Sequence, residues 1–268
     1  SDLNVPLQDG VITDDTRIRA SVKTISYVLE NGGSVILLSH LGKVKQKEDM
    51  LKNDLKVVAK RLSELLGIEV KFSQVTRGRE LEEMAFNLKP GEVLLIQNTR
   101  YEDIDGKKES GCDLALAKYW ASLGDIFIND AYGTSHRSHA SNVGIAKFVP
   151  NGLGFLVLDE VNKLDSILNA NTHPFIVIMG GAKVSDKIKV IENLILKCDK
   201  ILIGGGMAYT FLKAQGYKIG KSLLEEDYLA FCQKILEKYP EKVVLPVDNV
   251  VSDSLESNYY TNKENSEI

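Results

Sequence analysis

Short apolar segments alternate with longer amphipathic segments along most of the chain, and this alternation constrains the fold more than any other feature. Most apolar segments are continuous, which is typical of strands covered on both faces of a parallel sheet. The longer segments repeat apolar residues at helical spacing, and the alternation predicts βαβ units in an α/β fold with mainly parallel sheets. We predict strands at 34–39, 68–72, 92–97, 125–130, 174–180, 200–205 and 242–247, and helices near 15–31, 54–66, 76–88, 109–122, 154–170, 185–197, 207–214 and 224–238.

The number of predicted strands indicates how the chain is divided. Seven or more strands in 268 residues fit two doubly wound sheets better than one. Residues 149–154 contain a proline and two glycines and precede a long amphipathic run, which suits a hinge followed by a helix. We predict a first domain over 1–150, an interdomain helix or hinge over 151–171 and a second domain over 172–268. An ordinary loop at 149–154 is the alternative.

Charge and composition exclude several classes of function. The chain has 33 Lys and Arg against 37 Asp and Glu, and neither half has the basic excess typical of nucleic-acid binding. No apolar run approaches the roughly 20 residues of a membrane span, and the first residues do not resemble a secretory signal. The three cysteines form no CxxC pair or disulfide framework, which indicates a reducing compartment. We expect a cytoplasmic protein with no nucleic-acid or membrane partner.

Chemically distinctive residues follow the predicted strands, where open α/β sheets bind their ligands. The first half offers guanidinium, imidazole and ammonium groups, which suit a small anion. The second half offers glycine turns and lysines, which suit a polyphosphate. We therefore predict an anion site in the first half and a nucleotide site in the second. The first set is Arg17, His40, Lys43, Arg100, His136, Arg137 and His139, and the second is Gly180, Gly181, Lys183, Lys187, Gly204, Gly205 and Gly206.

Other interpretations of these motifs have less support. The H-x-x-H spacing of His136 and His139 has no carboxylate or cysteine ligand beside it, so we expect no metal site. Residues 216–222 resemble a P-loop, but they follow a predicted helix and their glycines are too close together. The glycines after the strand at 200–205 do not form GxGxxG, and no acid follows a next strand about 20 residues on, which disfavours a nicotinamide dinucleotide. A solvated helical pair is the alternative for the two lysines of the second set.

Eight motifs together resemble the phosphoglycerate kinase family. They occur in the family's order over essentially the whole chain, and the fifth and sixth are the most specific. The resemblance implies two Rossmann-like three-layer αβα domains, the second of them incomplete. The motifs are DLNVPL (2–7), ITDDTRIRA (12–20), SHLGK (39–43), NTRY (98–101), NDAYGTSHRSHAS (129–141), GGAKVSDKI (180–188), GGGMAYTFL (204–212) and LPVD (245–248).

The resemblance also implies an activity: reversible phosphoryl transfer between ATP and 3-phosphoglycerate, giving 1,3-bisphosphoglycerate and ADP, as in glycolysis and gluconeogenesis. The first domain would bind 3-phosphoglycerate and the second the Mg²⁺ complex of ATP or ADP. The metal would be held mainly by the nucleotide phosphates. This activity suits the residues, because a carboxylate nucleophile is already ionised at neutral pH and needs no general base, while phosphoryl transfer depends on positioning and charge. We expect a monomer.

The resemblance assigns roles at matching positions. Asp2 and Asn4 would contact the glycerate, Arg17 would hold the reacting carboxyl group, and Lys183 would stabilise the transferring phosphoryl group. Catalysis would thus use Arg17, Lys183 and Lys187. The substrate site would comprise Asp2, Leu3, Asn4, Arg17, His40, Leu41, Gly42, Lys43, Arg100 and Arg137, and the nucleotide site Gly181, Lys183, Lys187, Gly204 and Gly205.

The chain departs from the family pattern at several points. Lys43, Gln97 and Leu3 stand where the family usually has arginine, glutamate and an aromatic residue; the lysine keeps the charge but loses the bidentate fork. The family usually has a strand before the first motif and a long segment after the last. The sequence therefore predicts a chain truncated at both ends, with little or no kinase activity alone. The alternative is a non-catalytic fragment that retains the anion site and lacks a complete nucleotide pocket.

Overall fold

A computed structural model describes the chain over residues 1–169, 173–252, 254 and 257–265. The chain divides into two compact units, Ser1–Ser166 and Ile167–Ile268. The division falls inside the helix Phe155–Leu168, which lies in the range predicted as the interdomain segment. Residues 170 and 171 of that predicted segment, and residue 172 of the predicted second domain, lie outside the described residues.

The first unit consists of short strands that alternate with helices. Its strands are β1 (Leu7–Gln8), β2 (Val11–Ile12), β3 (Val35–Leu37), β4 (Val70–Phe72), β5 (Val93–Leu95), β6 (Phe127–Asn129) and β7 (Asn151–Leu153). Its helices are α1 (Thr16–Glu30), α2 (Glu48–Lys52), α3 (Lys56–Leu66), α4 (Arg79–Phe86), α5 (Leu114–Ala121) and α6 (Phe155–Leu168), the last reaching into the second unit. Short 3₁₀ helices cover Thr99–Asp103, Tyr132–Thr134 and Ile145–Lys147, and a π-helical turn covers Ala140–Gly144.

The central sheet of this unit is parallel, in the order β3-β5-β4, and is covered on both faces. Along β5 and the residue after it, Val93 and Leu95 enter one core with α1 and α3, while Leu94 and Ile96 enter another with α4 and α5. All four side chains are fully buried, and each contributes about 1.5–3 kcal/mol of hydrophobic stabilisation. A continuous apolar segment therefore forms a strand between two helical layers, which confirms the predicted α/β class.

Two smaller ladders complete the first unit. Strands β6 and β7 pair in parallel, and β1 and β2 form an antiparallel hairpin around Asp9 and Gly10. Both turn residues have positive φ, 52° and 77°, which is the geometry of a two-residue type I′ turn. No hairpin was predicted here, although an Asp-Gly pair is a strong signal for this turn.

The second unit has its own parallel sheet, in the order β8-β9-β10. Ile201 and Ile203 of β9 are buried in a core formed with α7, α8 and α9. An antiparallel hairpin, β11-β12, follows in a region for which no such pair was predicted. The strands are β8 (Ile176–Met179), β9 (Lys200–Ile203), β10 (Val243–Val244), β11 (Asp248–Ser252) and β12 (Tyr260–Glu264); the helices are α7 (Ile188–Leu194), α8 (Met207–Ala214) and α9 (Leu229–Lys238), with 3₁₀ turns at Ser185–Lys187 and Glu226–Tyr228.

The predicted segments match the observed elements in type but not always in extent. Each predicted strand contains an observed strand, and each predicted helix contains an observed helix. The helices predicted over 109–122 and 224–238 both begin five residues later than predicted, at Leu114 and Leu229. The first begins at Leu114 because the Asp113 carboxylate accepts a hydrogen bond from the Leu116 amide and caps the helix. Across the described residues, the helices are all too short or too polar to cross a bilayer.

Candidate functional site

The loops that follow the parallel strands of the first unit carry most of the predicted anion-binding residues. Strand β3 leads into His40, β5 into Arg100 and β6 into Arg137. Because β3 and β5 are parallel neighbours in register, their carboxyl ends lie at one edge of the sheet. The structure thus places His40 and Arg100 where open α/β sheets bind ligands.

Asp2 and Arg17 form an ion pair at this edge. An Nη1 atom of Arg17 lies 2.6 Å from Oδ2 of Asp2. Asp2 is buried, whereas half of the Arg17 side chain is exposed, so the guanidinium group keeps N–H donors free for a ligand. A Cβ atom at Gly133 would lie 2.6 Å from the same carboxylate oxygen, so this position requires glycine.

Hydrogen bonds from backbone amides to side-chain oxygens hold the turn that carries His40 against the first residues of the chain. The Gly42 amide donates to Oδ1 of Asn4 over 2.8 Å, and the Leu3 amide donates to Oγ of Ser39 over 2.8 Å. Gly42 has a φ of 58°, and a Cβ atom there would lie 2.0 Å from the Asn53 amide oxygen. The turn therefore needs glycine for both its conformation and its packing.

Asn98 joins three separate segments around the site. Its Oδ1 accepts hydrogen bonds from the Leu41 and Arg100 amides, at 3.2 and 3.0 Å. Its Nδ2 donates to the carbonyl oxygens of Leu41 and Asn53, at 2.8 and 2.9 Å. The side chain is fully buried and uses both its acceptor and its donors, so it fixes the turn at residues 40–43 relative to Arg100.

Electrostatic effects on His40 show which charges surround it. The pKa of His40 is lowered to about 4, mainly by burial and also by the nearby Arg100, Arg137 and His139, against the opposing effect of Asp2. These groups are therefore close to one imidazole, although they come from different loops. Burial, together with Arg100 and Arg137, also lowers the pKa of His139. The site is an array of cations around neutral imidazoles, which suits an anion.

The two arginines of this array are held in different ways. The Arg100 guanidinium donates to Asp103 over 2.8 Å, while its Nε is buried with no hydrogen-bond partner among the described residues. Arg137 is exposed, and its Nε lies 3.4 Å from Nε2 of His136. The Arg100 guanidinium group is thus held in position by Asp103, whereas the position of the Arg137 guanidinium group depends on the conformation of its loop.

Three predicted substrate residues have other surroundings. The side chains of Leu3 and Leu41 are fully buried in the core between α1, α3 and the sheet. Their amides already donate to Ser39 and Asn98. Lys43 is exposed, and its backbone oxygen accepts a weak hydrogen bond from Asn53.

In the second unit, the glycine turns after β8 and β9 pack against each other. The Met207 amide donates to the Gly181 oxygen over 2.9 Å, and the Gly204 amide donates to the Met179 oxygen over 2.8 Å. Gly205 has a φ of 67°, and a Cβ atom there would lie 3.0 Å from the backbone of Gly181. These turns place two glycine backbones in contact, an approach that side chains would prevent.

Glu225 holds the turn that carries the two lysines of the predicted nucleotide site. Its carboxylate accepts hydrogen bonds from the Val184 amide and from the Ser185 amide and hydroxyl, the last two at 3.1 and 2.6 Å. Burial raises the pKa of Glu225, but these hydrogen bonds and the nearby Lys183 outweigh burial and lower it overall. Lys183 is exposed and Lys187 is half-buried, so both ammonium groups are accessible.

Sequence reasoning missed the residues that support the site. Asn98 carried a visible signal, because it stands directly after a strand and beside Arg100. Asp130 carried a similar signal, because it stands directly after β6. Its Oδ1 accepts hydrogen bonds from the Leu156 and Val157 amides in the first turn of α6, at 2.9 and 3.3 Å. Glu109 and Glu225 carried none, since each lies in a polar segment and acts on a distant loop. Among the described residues, no group of three or more His, Cys, Asp or Glu is arranged to hold a metal ion.

Comparisons with known proteins identify the family to which the chain is similar. A family model described as phosphoglycerate kinase matches residues 1–268. Phosphoglycerate kinases of Enterococcus faecalis and Listeria innocua are 61% and 59% identical over 94% of this chain. The chain spans 64% and 63% of the lengths of these relatives.

Two solved structures are also similar. The structure of phosphoglycerate kinase from Coxiella burnetii has a TM-score of 0.83 and 38% identity, and the match covers 99% of this chain and 67% of that one. The enzyme from Pyrococcus horikoshii has a TM-score of 0.73 and 30% identity, covering 98% of this chain and 66% of that one. On the family match and these relatives, the chain belongs to the phosphoglycerate kinase family.

Proposed function

We propose that the protein to which this chain belongs transfers a phosphoryl group reversibly between ATP and the carboxylate of 3-phosphoglycerate. The first unit binds 3-phosphoglycerate or 1,3-bisphosphoglycerate, and the second binds ATP or ADP with Mg²⁺. The protein acts as a cytoplasmic monomer. The observation that carries the proposal is the grouping of Arg100 and Arg137 around His40, which follows the parallel strand β3, together with the nearby ion pair of Asp2 and Arg17.

The chemistry of the first unit suits an acceptor that is already an anion. The carboxylate of 3-phosphoglycerate is already ionised at pH 7, so its reaction needs no general base. The imidazoles of His40 and His139 therefore need not act as bases, and their lowered pKa values keep them neutral at this pH. Arg100 and Arg137 bind the phosphate, since a guanidinium group donates two parallel hydrogen bonds to it. Arg17 holds the reacting carboxylate, and Asp2 and Asn4 contact the glycerate. Lys43 adds a positive charge but cannot donate the two parallel hydrogen bonds of a guanidinium group.

In the second unit, the packed turns at Gly181 and Gly205, together with Gly204, let a nucleotide approach the backbone closely. Lys183 and Lys187 bind its phosphates and stabilise the charge of the transferring group. Mg²⁺ supplies further charge neutralisation when it is bound with the nucleotide. The carboxylate of Glu225 already uses the amides at the start of the turn, so the lysine side chains supply the contacts to the phosphates.

The substrate half of this proposal is tested by calorimetric titration of the chain with 3-phosphoglycerate. We expect saturable binding that falls at least tenfold in Arg100→Ala, because hydrogen bonds to charged groups contribute about 1.5–3 kcal/mol. Lys71→Ala is a matched control, since Lys71 pairs with Glu92 in the same unit, away from these loops. Equal losses in both variants, or no binding by the wild type, would refute the assignment.

The nucleotide half is tested by titration with Mg-ADP. Lys187→Ala should weaken binding, and Lys189→Ala, at an exposed lysine two positions later in α7, should not. We also propose that the 268-residue chain alone has little kinase activity, because it spans less than two thirds of the length of its relatives. A coupled assay that found turnover equal to that of such a relative would contradict this. Binding of 3-phosphoglycerate without binding of Mg-ADP would favour the non-catalytic alternative.

A further inference from the structure

Two loops of the first unit carry the arginines that the proposed function assigns to the substrate phosphate. Arg100 lies in the 3₁₀ helix Thr99–Asp103, and Arg137 lies between two helical turns more than 30 residues later. Arg137 is exposed, so its guanidinium position depends on how its loop is held. Asn142 holds that loop from within, because its Nδ2 donates to the Arg137 oxygen over 2.8 Å.

Glu109 connects this loop to the Arg100 loop. Its carboxylate accepts hydrogen bonds from the Ser141 amide, over 3.0 Å, and from the Ser141 hydroxyl. Its backbone oxygen accepts a hydrogen bond from the Ala140 amide over 2.9 Å. On the other side, the Ser110 amide donates to Asp103 over 2.8 Å, and Asp103 is the residue that pairs with Arg100. A continuous chain of contacts thus joins the two arginine loops.

The surroundings of Glu109 are unusual for a carboxylate. Only 1% of the residue is exposed, and burial raises its pKa against the effect of the Ser141 hydrogen bonds. The imidazole of His139 lies in ion-pair range, with its Nδ1 3.6 Å from the carboxylate, but it is neutral at pH 7 because its pKa is lowered. A buried carboxylate without a strong cationic partner is held mainly by directional hydrogen bonds, which define the position of Ser141 sharply.

We propose that Glu109 is a positioning residue for substrate binding. It fixes the loop that carries Arg137 against the loop that carries Arg100, so that both guanidinium groups can bind the same anion. Glu109 does not touch the substrate itself. This inference rests on the proposed function of the site, and it adds a residue that neither the motifs nor the strand-end positions indicated.

The sign of the effect separates positioning from electrostatics. Removing a negative charge near an anion site favours anion binding if only charge matters. Removing the anchor of the loop weakens binding instead. In Glu109→Gln, the amide oxygen accepts from the Ser141 amide and the amide nitrogen donates to the Ser141 hydroxyl, so the anchor is kept and the charge is lost. In Glu109→Leu, both are lost.

The test is calorimetric titration of the chain with 3-phosphoglycerate at pH 7.5. We expect Glu109→Leu to bind about tenfold more weakly than wild type and Glu109→Gln to bind at least as tightly. Leu81→Ala, in the core beneath the same loops, controls for lost stability, and it should keep its affinity at a matched shift in melting temperature. Ser141→Ala, which removes only the hydroxyl contact, should weaken binding about threefold and answers the question if Glu109→Leu does not fold.

Three other outcomes would contradict the proposed role of Glu109. If wild type binds and both Glu109→Leu and Ser141→Ala bind within twofold of it, Glu109 does not position the site. If Glu109→Gln loses as much affinity as Glu109→Leu, keeping the hydrogen bonds to Ser141 does not preserve binding, and the positioning role is wrong. If the wild-type chain does not bind 3-phosphoglycerate, the proposed function of this site fails, and the role of Glu109 fails with it.

Discussion

The lowered pKa of His40 makes the first unit sensitive to acid. The ordinary pKa of 6.5 falls to about 4 in the folded protein, mainly through burial and then through Arg100, Arg137 and His139, with Asp2 opposing them. Between these two values the unfolded chain binds more protons than the folded one. The stability that comes from a neutral His40 is therefore fully present above pH 6.5 and is lost as the pH falls towards 4.

The size of this loss follows from the two pKa values. The free energy of unfolding that is lost through His40 amounts to about 2 kcal/mol at pH 5 and about 3 kcal/mol at pH 4. In His40→Gln the group no longer titrates, so the variant should lose less stability over the same range by these amounts. Carboxylates titrate in both proteins, and the difference between them isolates the imidazole. His139, whose pKa is also lowered, contributes equally to both.

The measurement is urea unfolding from pH 7.5 to 4.5, followed by tryptophan fluorescence. The chain has a single tryptophan, Trp120, which is buried in the same unit as His40, so its emission reports that unit. A proton NMR titration gives the pKa of His40 directly, with the missing resonance of His40→Gln as the assignment. An NMR pKa near 6.5, or equal acid sensitivity in the two proteins, would refute the reasoning. Added 3-phosphoglycerate should raise the pKa, because a bound anion favours the charged imidazole.

Other predictions concern packing. Gly154→Ala would place a Cβ atom 2.3 Å from the carboxylate that caps α6 and should cost about 1–3 kcal/mol in urea unfolding, whereas Gly152→Ala, with its nearest atom at 3.8 Å, serves as the control; similar losses would contradict the clash. Asn98→Asp removes the donors to two buried carbonyl groups and should cost about 2–6 kcal/mol, so a variant as stable as wild type would show that these hydrogen bonds are dispensable. Gly205→Ala should lower the melting temperature of the second unit because of its positive φ and 3.0 Å contacts, while Gly204→Ala, with open space around it, should not, and equal shifts would exclude this explanation.

Much of the fold was predictable because its pattern is local. The continuous apolar segment at β5 predicts a strand with two covered faces, and the structure confirms it by placing Leu94 and Leu95 in different cores. The glycine turns after β8 and β9 were visible as clusters, and the His40 and Arg100 positions followed from strand ends. The exact bounds of the helices were harder to predict. Asp113 fixes where α5 begins through one side-chain hydrogen bond, which periodicity does not reveal.

The sequence by itself therefore determined the α/β class, the order of the strands along the chain and the residue types available for binding an anion. Only the tertiary structure decided which loops meet. Glu109 reaches Ser141 across 32 positions, and Asn98 reaches Leu41 across 57. The physical reason is that secondary structure depends on neighbours within a few residues, whereas the spacing of loops depends on the order and register of the sheet and on directional hydrogen bonds that form only after distant segments have packed.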